Sequence, residues 1–330
     1  MEYSFARAGG QGRNVLTGGP ALTVSGCARS PLRLVWRACG VRGEGRETDV
    51  NKLQKAACLL RWNPALLLRI LAGRLRRLAP FPGRPVRKRI RGVLFEFDFA
   101  LSPFVKDMYC GVYEPLTLAA MRRFLRPGGT FLDVGASIGF LTAVGAGLVG
   151  TEGEVHSFEP APECAARLRT LAAENPDFLI VTNECALGEA EGTASLDMAG
   201  DFNLGWNTMV PGFMPKECRT RSLDVRVRRL DRYIAEHGLA NVSLIKIDTE
   251  GYELLVLRGL EEFLKSVERL PVIICEIAPS GYALLGGTLE ELSRYMKTHG
   301  YVALSLLSPE REVDVAGLTA RSDVLFVPKP

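Results

Sequence analysis

Beyond residue 130 the chain alternates short apolar runs with longer stretches of helical spacing. Runs at Thr130–Val134, Glu154–Phe158, Leu179–Thr182, Leu244–Ile247, Val272–Cys275, Tyr301–Leu306 and Val324–Val327 have the length and continuity of buried strands. Ile138–Leu148, Ala161–Glu174, Tyr252–Leu264 and Leu289–His299 carry the spacing of helices, the last opened by a Thr288/Glu291 capping box. Strands and helices in alternation predict an α/β fold: a mostly parallel sheet with helices on both faces. Upstream, Val93–Phe99 alternates as a strand with one buried face, and Leu116–Leu125 reads as a helix stopped by Pro127-Gly128-Gly129. Asn51–Leu78 is leucine-rich and helical, divided in two by Pro64.

Two stretches break the pattern. Met1 to about Asp49 is rich in Gly, Ala, Arg and Ser without a period and reads as disordered. Three readings of it stay open: a disordered tail, an Arg-rich transit-like segment, or an upstream extension without function. Ala199–Ser222, with Trp206, Met209, Phe213 and Met214, is too long for a plain connection. It reads either as a lid over a substrate or as an apolar loop packed on the sheet edge. The expected division is a disordered segment at 1–50, a basic helical and strand appendage at 51–110, and the main α/β domain at 111–330.

Charge sharpens that division. Residues 1–91 hold 19 Lys and Arg against 4 Asp and Glu, whereas the remainder holds 22 against 33. The basic cluster Arg84–Arg91 reads as a solvated linker rather than a nucleic-acid contact, because no aromatic residues interleave its charges. Weak peripheral contact of this basic part with an anionic membrane is the sharper alternative. No apolar run reaches the ~18 residues a membrane span needs, and no secretory signal is visible, so the expected location is cytoplasmic. Eight cysteines are scattered without a Cys-x-x-Cys pair, so neither a metal site nor a disulfide framework is expected. His156 alternates with apolar neighbours and reads as a core histidine.

The chemistry sits where apolar runs end in acids. Thr130–Val134 leads into Asp133-Val-Gly135-Ala-Ser137-Ile-Gly139, a strand, a tight turn and a helix. The spacing Asp-x-Gly-x-x-x-Gly differs from the Gly-x-Gly-x-x-Gly of dinucleotide sites. An acid at this turn repels a pyrophosphate but attracts an ammonium or a sulfonium, which points to S-adenosylmethionine (AdoMet). Glu159 ends the next run 20 residues beyond Gly139, where a carboxylate can accept from both hydroxyls of a ribose. Ile245-Lys246-Ile247-Asp248-Thr249-Glu250 delivers two more acids to a strand end, and Glu276 closes the following run. Asp248, Glu250 and Glu276 are therefore the candidate catalytic carboxylates, able to raise one another's pKa as a general base requires.

At these residues the chain resembles the FkbM family of AdoMet-dependent methyltransferases. The resemblance runs through Gly111-Val-Tyr-Glu114-Pro115, Phe131–Gly139, Phe158-Glu159-Pro160, Asn183-Glu-Cys-Ala186-Leu-Gly188, Leu230-Asp231 and Ile245–Gly251, and covers about Gly111 to Val327. Ser137 stands where Asn is commoner and Thr249 where Val is commoner; both are small enough for their turns. The resemblance implies a class I, Rossmann-like methyltransferase with a seven-stranded sheet, and methylation of a hydroxyl on a sugar or natural product. Carried onto this sequence, it implies AdoMet contacts from Glu114, Asp133, Gly135, Ser137, Gly139, Glu159, Ala186 and Asp248. It implies a small-molecule or glycan acceptor and no nucleic acid; the oligomeric state is left open. Three other readings stay in view: a catalytically silent AdoMet-fold binding module, a nicotinamide oxidoreductase, and a Mg²⁺-assisted enzyme with Asp248 and Glu276 as ligands.

Overall fold

The computed structural model describes residues 49–200 and 205–329; the expected disorder of the N-terminal segment lies outside them. After helices α1 (Asp49–Trp62) and α2 (Pro64–Arg76) comes a hairpin of β1 (Val86–Ile90) and β2 (Val93–Phe97). Helices α3 (Phe104–Cys110) and α4 (Pro115–Phe124) lead into the sheet through β3 (Thr130–Val134), α5 (Phe140–Val149), β4 (Glu154–Phe158), α6 (Pro162–Ala173) and β5 (Leu179–Asn183). A small sheet of β6 (Ala186–Leu187), β7 (Gly192–Ala199) and β8 (Arg219–Arg228) is inserted here. The main sheet resumes after α7 (Leu230–Glu236) with β9 (Val242–Ile247), α8 (Glu253–Arg258), α9 (Glu261–Ser266) and β10 (Val272–Ile277). It closes with α10 (Pro279–Leu284), α11 (Leu289–Thr298), β11 (Tyr301–Ser305) and β12 (Ser322–Pro328).

The seven-stranded sheet has the order β11-β12-β10-β9-β3-β4-β5. β12 is antiparallel to both its neighbours, and the other six strands share one direction. The strand order reverses between β3 and β9, and the carboxyl ends of these strands are where open α/β sheets bind ligands. Side chains alternate across the sheet, so each strand feeds two cores. Phe131, Val155, Leu244, Ile274 and Leu325 face α3, α4, α5 and β2 on one side. Leu132, Phe158, Ile245, Ile247, Ile273 and Phe326 face α7, α8, α9 and α11 on the other. The same alternation puts Asp133, Lys246, Glu276 and Asp323 on the first side.

Two expectations need correction. The Arg84–Arg91 cluster is not a linker: Val86–Ile90 is a strand, its basic residues exposed while Phe95 and Phe97 of its partner pack edge-to-face on Phe140. Tyr252–Leu264 is two helices, because the chain bends where a Cβ on Gly259 would lie 2.0 Å from the Gly188 carbonyl oxygen. Cys58, Cys110, Cys164, Cys185 and Cys275 are free thiols. His156 is a buried core residue, as its neighbours imply, bonded to the Tyr233 hydroxyl at 2.7 Å and Glu154 at 3.2 Å. Among the described residues no helix is long and apolar enough to cross a membrane.

Candidate active site

A cleft opens at the carboxyl ends of β3, β4 and β9, lined by Asp133, Gly135, Ser137, Glu159, Ala186, Lys246, Asp248 and Glu250. Its floor is a junction of three backbones. Asp248 N donates to Val134 O at 3.0 Å, and Gly135 N and Ala136 N both donate to Phe158 O, at 3.0 and 3.1 Å. Gly135 has φ +77°, and a Cβ there would sit 1.8 Å from the Asp248 carbonyl oxygen. The close approach demanded of Gly135 is thus to the neighbouring strand end. Gly139 does not line the cleft; its missing Cβ leaves room for Leu168, 2.7 Å from where that atom would be.

Glu159 ties the turn together. Its two oxygens accept from Ser137 N and Ala161 N, each at 2.9 Å, and the first of these bonds holds Ser137 in the left-handed region at φ +49°. Burial raises the Glu159 carboxyl to about 7, with the two backbone donors opposing the shift. Each oxygen retains a lone pair for a further donor.

Asp133 is buried, with one oxygen accepting from the Thr142 hydroxyl at 2.6 Å and the other without a partner among the described residues. Burial raises it to about 6, and the Lys246 ammonium pulls the other way. Lys246 is 3% exposed and ion-paired with Asp248. Burial works against its charge, but Asp248, Glu114, Tyr113 and Asp133 hold its pKa well above the ordinary lysine value. Glu114 heads α4 in a left-handed conformation at φ +39° and buries an oxygen without a partner among the described residues, though it does not itself line the cleft. One ammonium therefore faces three carboxylates, and two buried carboxylate oxygens lack donors.

Carboxylate oxygens of Asp248, Glu250 and Glu276, far from Asp133 in sequence, come within 4.8 Å of one another. The sequence reading missed what sits among them. Arg321, at the foot of β12, makes a two-pronged bond to Glu250 and an ion pair to Glu276 at 2.8 Å. The antiparallel register Glu276↔Asp323 brings Arg321 there from the far end of the chain. Burial raises Glu250 to about 7 with Arg321 opposing, raises Glu276 well above its ordinary value with Asp248 adding to the effect, and raises Asp323 to about 7. No local signal around Arg321 marks it as a site residue; only the strand pairing does. On the opposite wall, Gly205, Asn207 and Met209 of the β7–β8 excursion line the cleft, and the Thr208 hydroxyl donates to Glu250 O at 2.8 Å. Residues 201–204 lie outside the described part.

The residues fit AdoMet. An excess of carboxylate with unfilled acceptor sites suits the ammonium of its methionine part, and Glu159 retains acceptor capacity for ribose hydroxyls. A parallel-dominated seven-stranded sheet with one reversed strand, carrying acids at the ends of its first, second and fourth core strands, defines a class I AdoMet-dependent methyltransferase. The Methyltransferase FkbM domain matches residues 133–303, and the chain belongs to this family. It is 28% identical over 214 residues to 31-O-demethyl-FK506 methyltransferase FkbM of Streptomyces tacrolimicus, covering 56% of this chain and 77% of that one. It is 29% identical over 163 residues to Methyltransferase sdnD of Sordaria araneosa, covering 41% of this chain and 62% of that one. The solved structure of a methyltransferase FkbM from Methylobacillus flagellatus KT aligns with a TM-score of 0.39 and 16% identity, covering 81% of this chain and 60% of that one.

Proposed function

We propose that this methyltransferase transfers the methyl group to a hydroxyl of a small, natural-product-like or sugar acceptor, with Asp248 as general base. Asp248 carries the reading: it ends the fourth core strand, lines the cleft, and has one oxygen held by Lys246. In this reading Asp133, Glu114 and Lys246 set the field that receives the cofactor's ammonium, Glu159 holds its ribose, and Ser137, Gly135 and Ala186 form the wall against it. When bound, AdoMet supplies a methyl group already activated on a sulfonium. The chain then has two tasks, to position the hydroxyl and to take its proton. The second oxygen of Asp248 accepts that proton, while Lys246 fixes the carboxylate's rotamer. Glu250, which lines the cleft, and Glu276, which does not, are clamped by Arg321 beside it and are the next candidates for the base.

The name of the Streptomyces relative describes an oxygen as the methylated atom, which supports an O-acceptor here. A metal-assisted reading has a donor set in Asp248, Glu250 and Glu276. Arg321 already neutralises two of those three, so the cluster carries its own cation. The test is incubation with methyl-labelled AdoMet and a pool of hydroxylated small molecules, with and without a chelator. Labelled O-methyl product in both arms supports the proposal. Label on nitrogen or carbon, or activity lost to the chelator, overturns it.

A further inference from the structure

We infer that α1 and α2 form a docking surface for an anionic lipid bilayer. Helix α2 is built with two apolar faces, and only one of them is used internally. Leu66, Ile70 and Gly73 point inward; with Leu59 of α1, the first two make a small core against Leu116, Ala119 and Leu307. A Cβ on Gly73 would lie 2.6 Å from the Cys110 carbonyl oxygen, so this face is pressed onto the segment that leads into Tyr113 and the cleft. Leu68, Leu71 and Leu75 fall at i, i+3 and i+7, which is one stripe of a helix, and Leu78 continues it just past the end. That stripe is in water: Leu68, Leu75 and Leu78 are 66%, 69% and 82% exposed. Leu60 and Trp62, at the end of the preceding helix α1, are exposed as well.

The charges around the stripe name the occupant. Residues 51–91 contain 12 Lys and Arg and no Asp or Glu. Arg69 and Arg76 fall on one side of the leucine stripe and Arg74 on the other. None of the three has an ion-pair partner among the described residues. Arg77 is spent on Asp107 at 3.0 Å, and Arg87 of the neighbouring hairpin on Glu96 and Glu174. A leucine stripe flanked by unpaired arginines, with an exposed tryptophan at the end of the preceding helix, is the composition of a helix lying in the plane of an anionic membrane surface. A second copy docked through the same patch would bring like charges together. A nucleic acid would leave the leucines without a partner, since only one aromatic residue stands among them.

The test uses the full chain in co-sedimentation with phosphatidylcholine vesicles, with and without phosphatidylserine. The expected result is capture by the phosphatidylserine vesicles that weakens with salt, and little capture by the neutral ones. Arg74→Gln/Arg76→Gln should weaken capture about fivefold per arginine. Leu71→Ser/Leu75→Ser should weaken it about tenfold or more. All four positions are exposed, so AdoMet binding by calorimetry should be unchanged and serves as the check on folding. Equal capture by both vesicles, capture unaffected by either variant, or a dimer in light scattering that Leu71→Ser/Leu75→Ser converts to monomer would overturn the inference. So would retention on nucleic acid without vesicle capture. If a variant loses its AdoMet heat, the salt series on the unaltered chain decides: capture by phosphatidylserine vesicles that rising salt does not reduce would also overturn it.

Discussion

Gly135→Ala isolates the junction on which the cleft is built. The added Cβ would lie 1.8 Å from the Asp248 carbonyl oxygen, so the turn after β3 and the end of β9 must separate by more than 1 Å. Three hydrogen bonds are at stake: Gly135 N and Ala136 N to Phe158 O, and Asp248 N to Val134 O. Losing one or two of them costs about 0.5–1.5 kcal/mol each, and an L-residue at this positive φ costs about 1–2 kcal/mol more. The expected destabilisation is about 2–4 kcal/mol, read from urea midpoints. AdoMet affinity should fall by at least about tenfold, because the acids on the two sides of the junction no longer converge. Gly128 supplies the control. Its φ is +78° against +77° for Gly135, but a Cβ there meets nothing within 4 Å. Gly128→Ala should therefore show the backbone strain alone, about 1 kcal/mol, with AdoMet binding intact. Equal midpoints for the two variants, or unaltered AdoMet affinity in Gly135→Ala, would refute the reasoning.

Further outcomes follow from the same geometry. Glu159→Ala should weaken AdoMet binding by about 1.5–3 kcal/mol for each charge-assisted bond to the ribose, and calorimetry that shows no loss would remove Glu159 from the site. Burial raises Asp133 to about 6 and Glu159, Glu250 and Glu253 to about 7. Raised folded-state values mean that the contribution of these carboxyls to stability is full below about pH 4 and is lost as pH rises through 6 to 7. The ligand-free melting temperature should thus fall by several degrees between pH 5.5 and 8, with Glu159→Gln flattening part of the slope; a rise over that range would contradict it. Arg321→Met strips the cation from Glu250 and Glu276. It should cost on the order of 2 kcal/mol in a urea melt, less than a fully buried pair because a third of Arg321 remains in water.

The centre of the parallel sheet, β3, β4, β9 and β10, was legible because these strands are buried on both faces and so read as nearly unbroken apolar runs. Their ends were legible because each run stops at an acid: Asp133, Glu159, Asp248 and Glu276. What escaped has physical reasons. β1 holds three basic residues in five, so its pairing with β2 leaves no apolar alternation to see. In β7 and β8 only a few positions, among them Leu196, Val225 and Val227, are buried, and a hairpin with one weak face resembles a loop. Gly259 breaks a continuous helical period through an approach to Gly188 that no spacing records. Glycine at 135 and 139 suggested a ligand at both; Gly135 lines the cleft while also closing a strand junction, and Gly139 instead makes room for Leu168. Arg321 was hidden because its place depends on β12 running back along β10, a property of topology rather than of any motif.

The most direct test of hydroxyl methylation through Asp248 compares the unaltered chain with Asp248→Asn, measuring methyl transfer from labelled AdoMet to the identified acceptor and AdoMet affinity side by side. The substitution keeps the side chain's size and removes its charge and basicity. The expected result is turnover lower by ~10²–10⁴ with AdoMet affinity changed little. Turnover at the unaltered rate, or a loss confined to AdoMet affinity, would contradict a general base at Asp248.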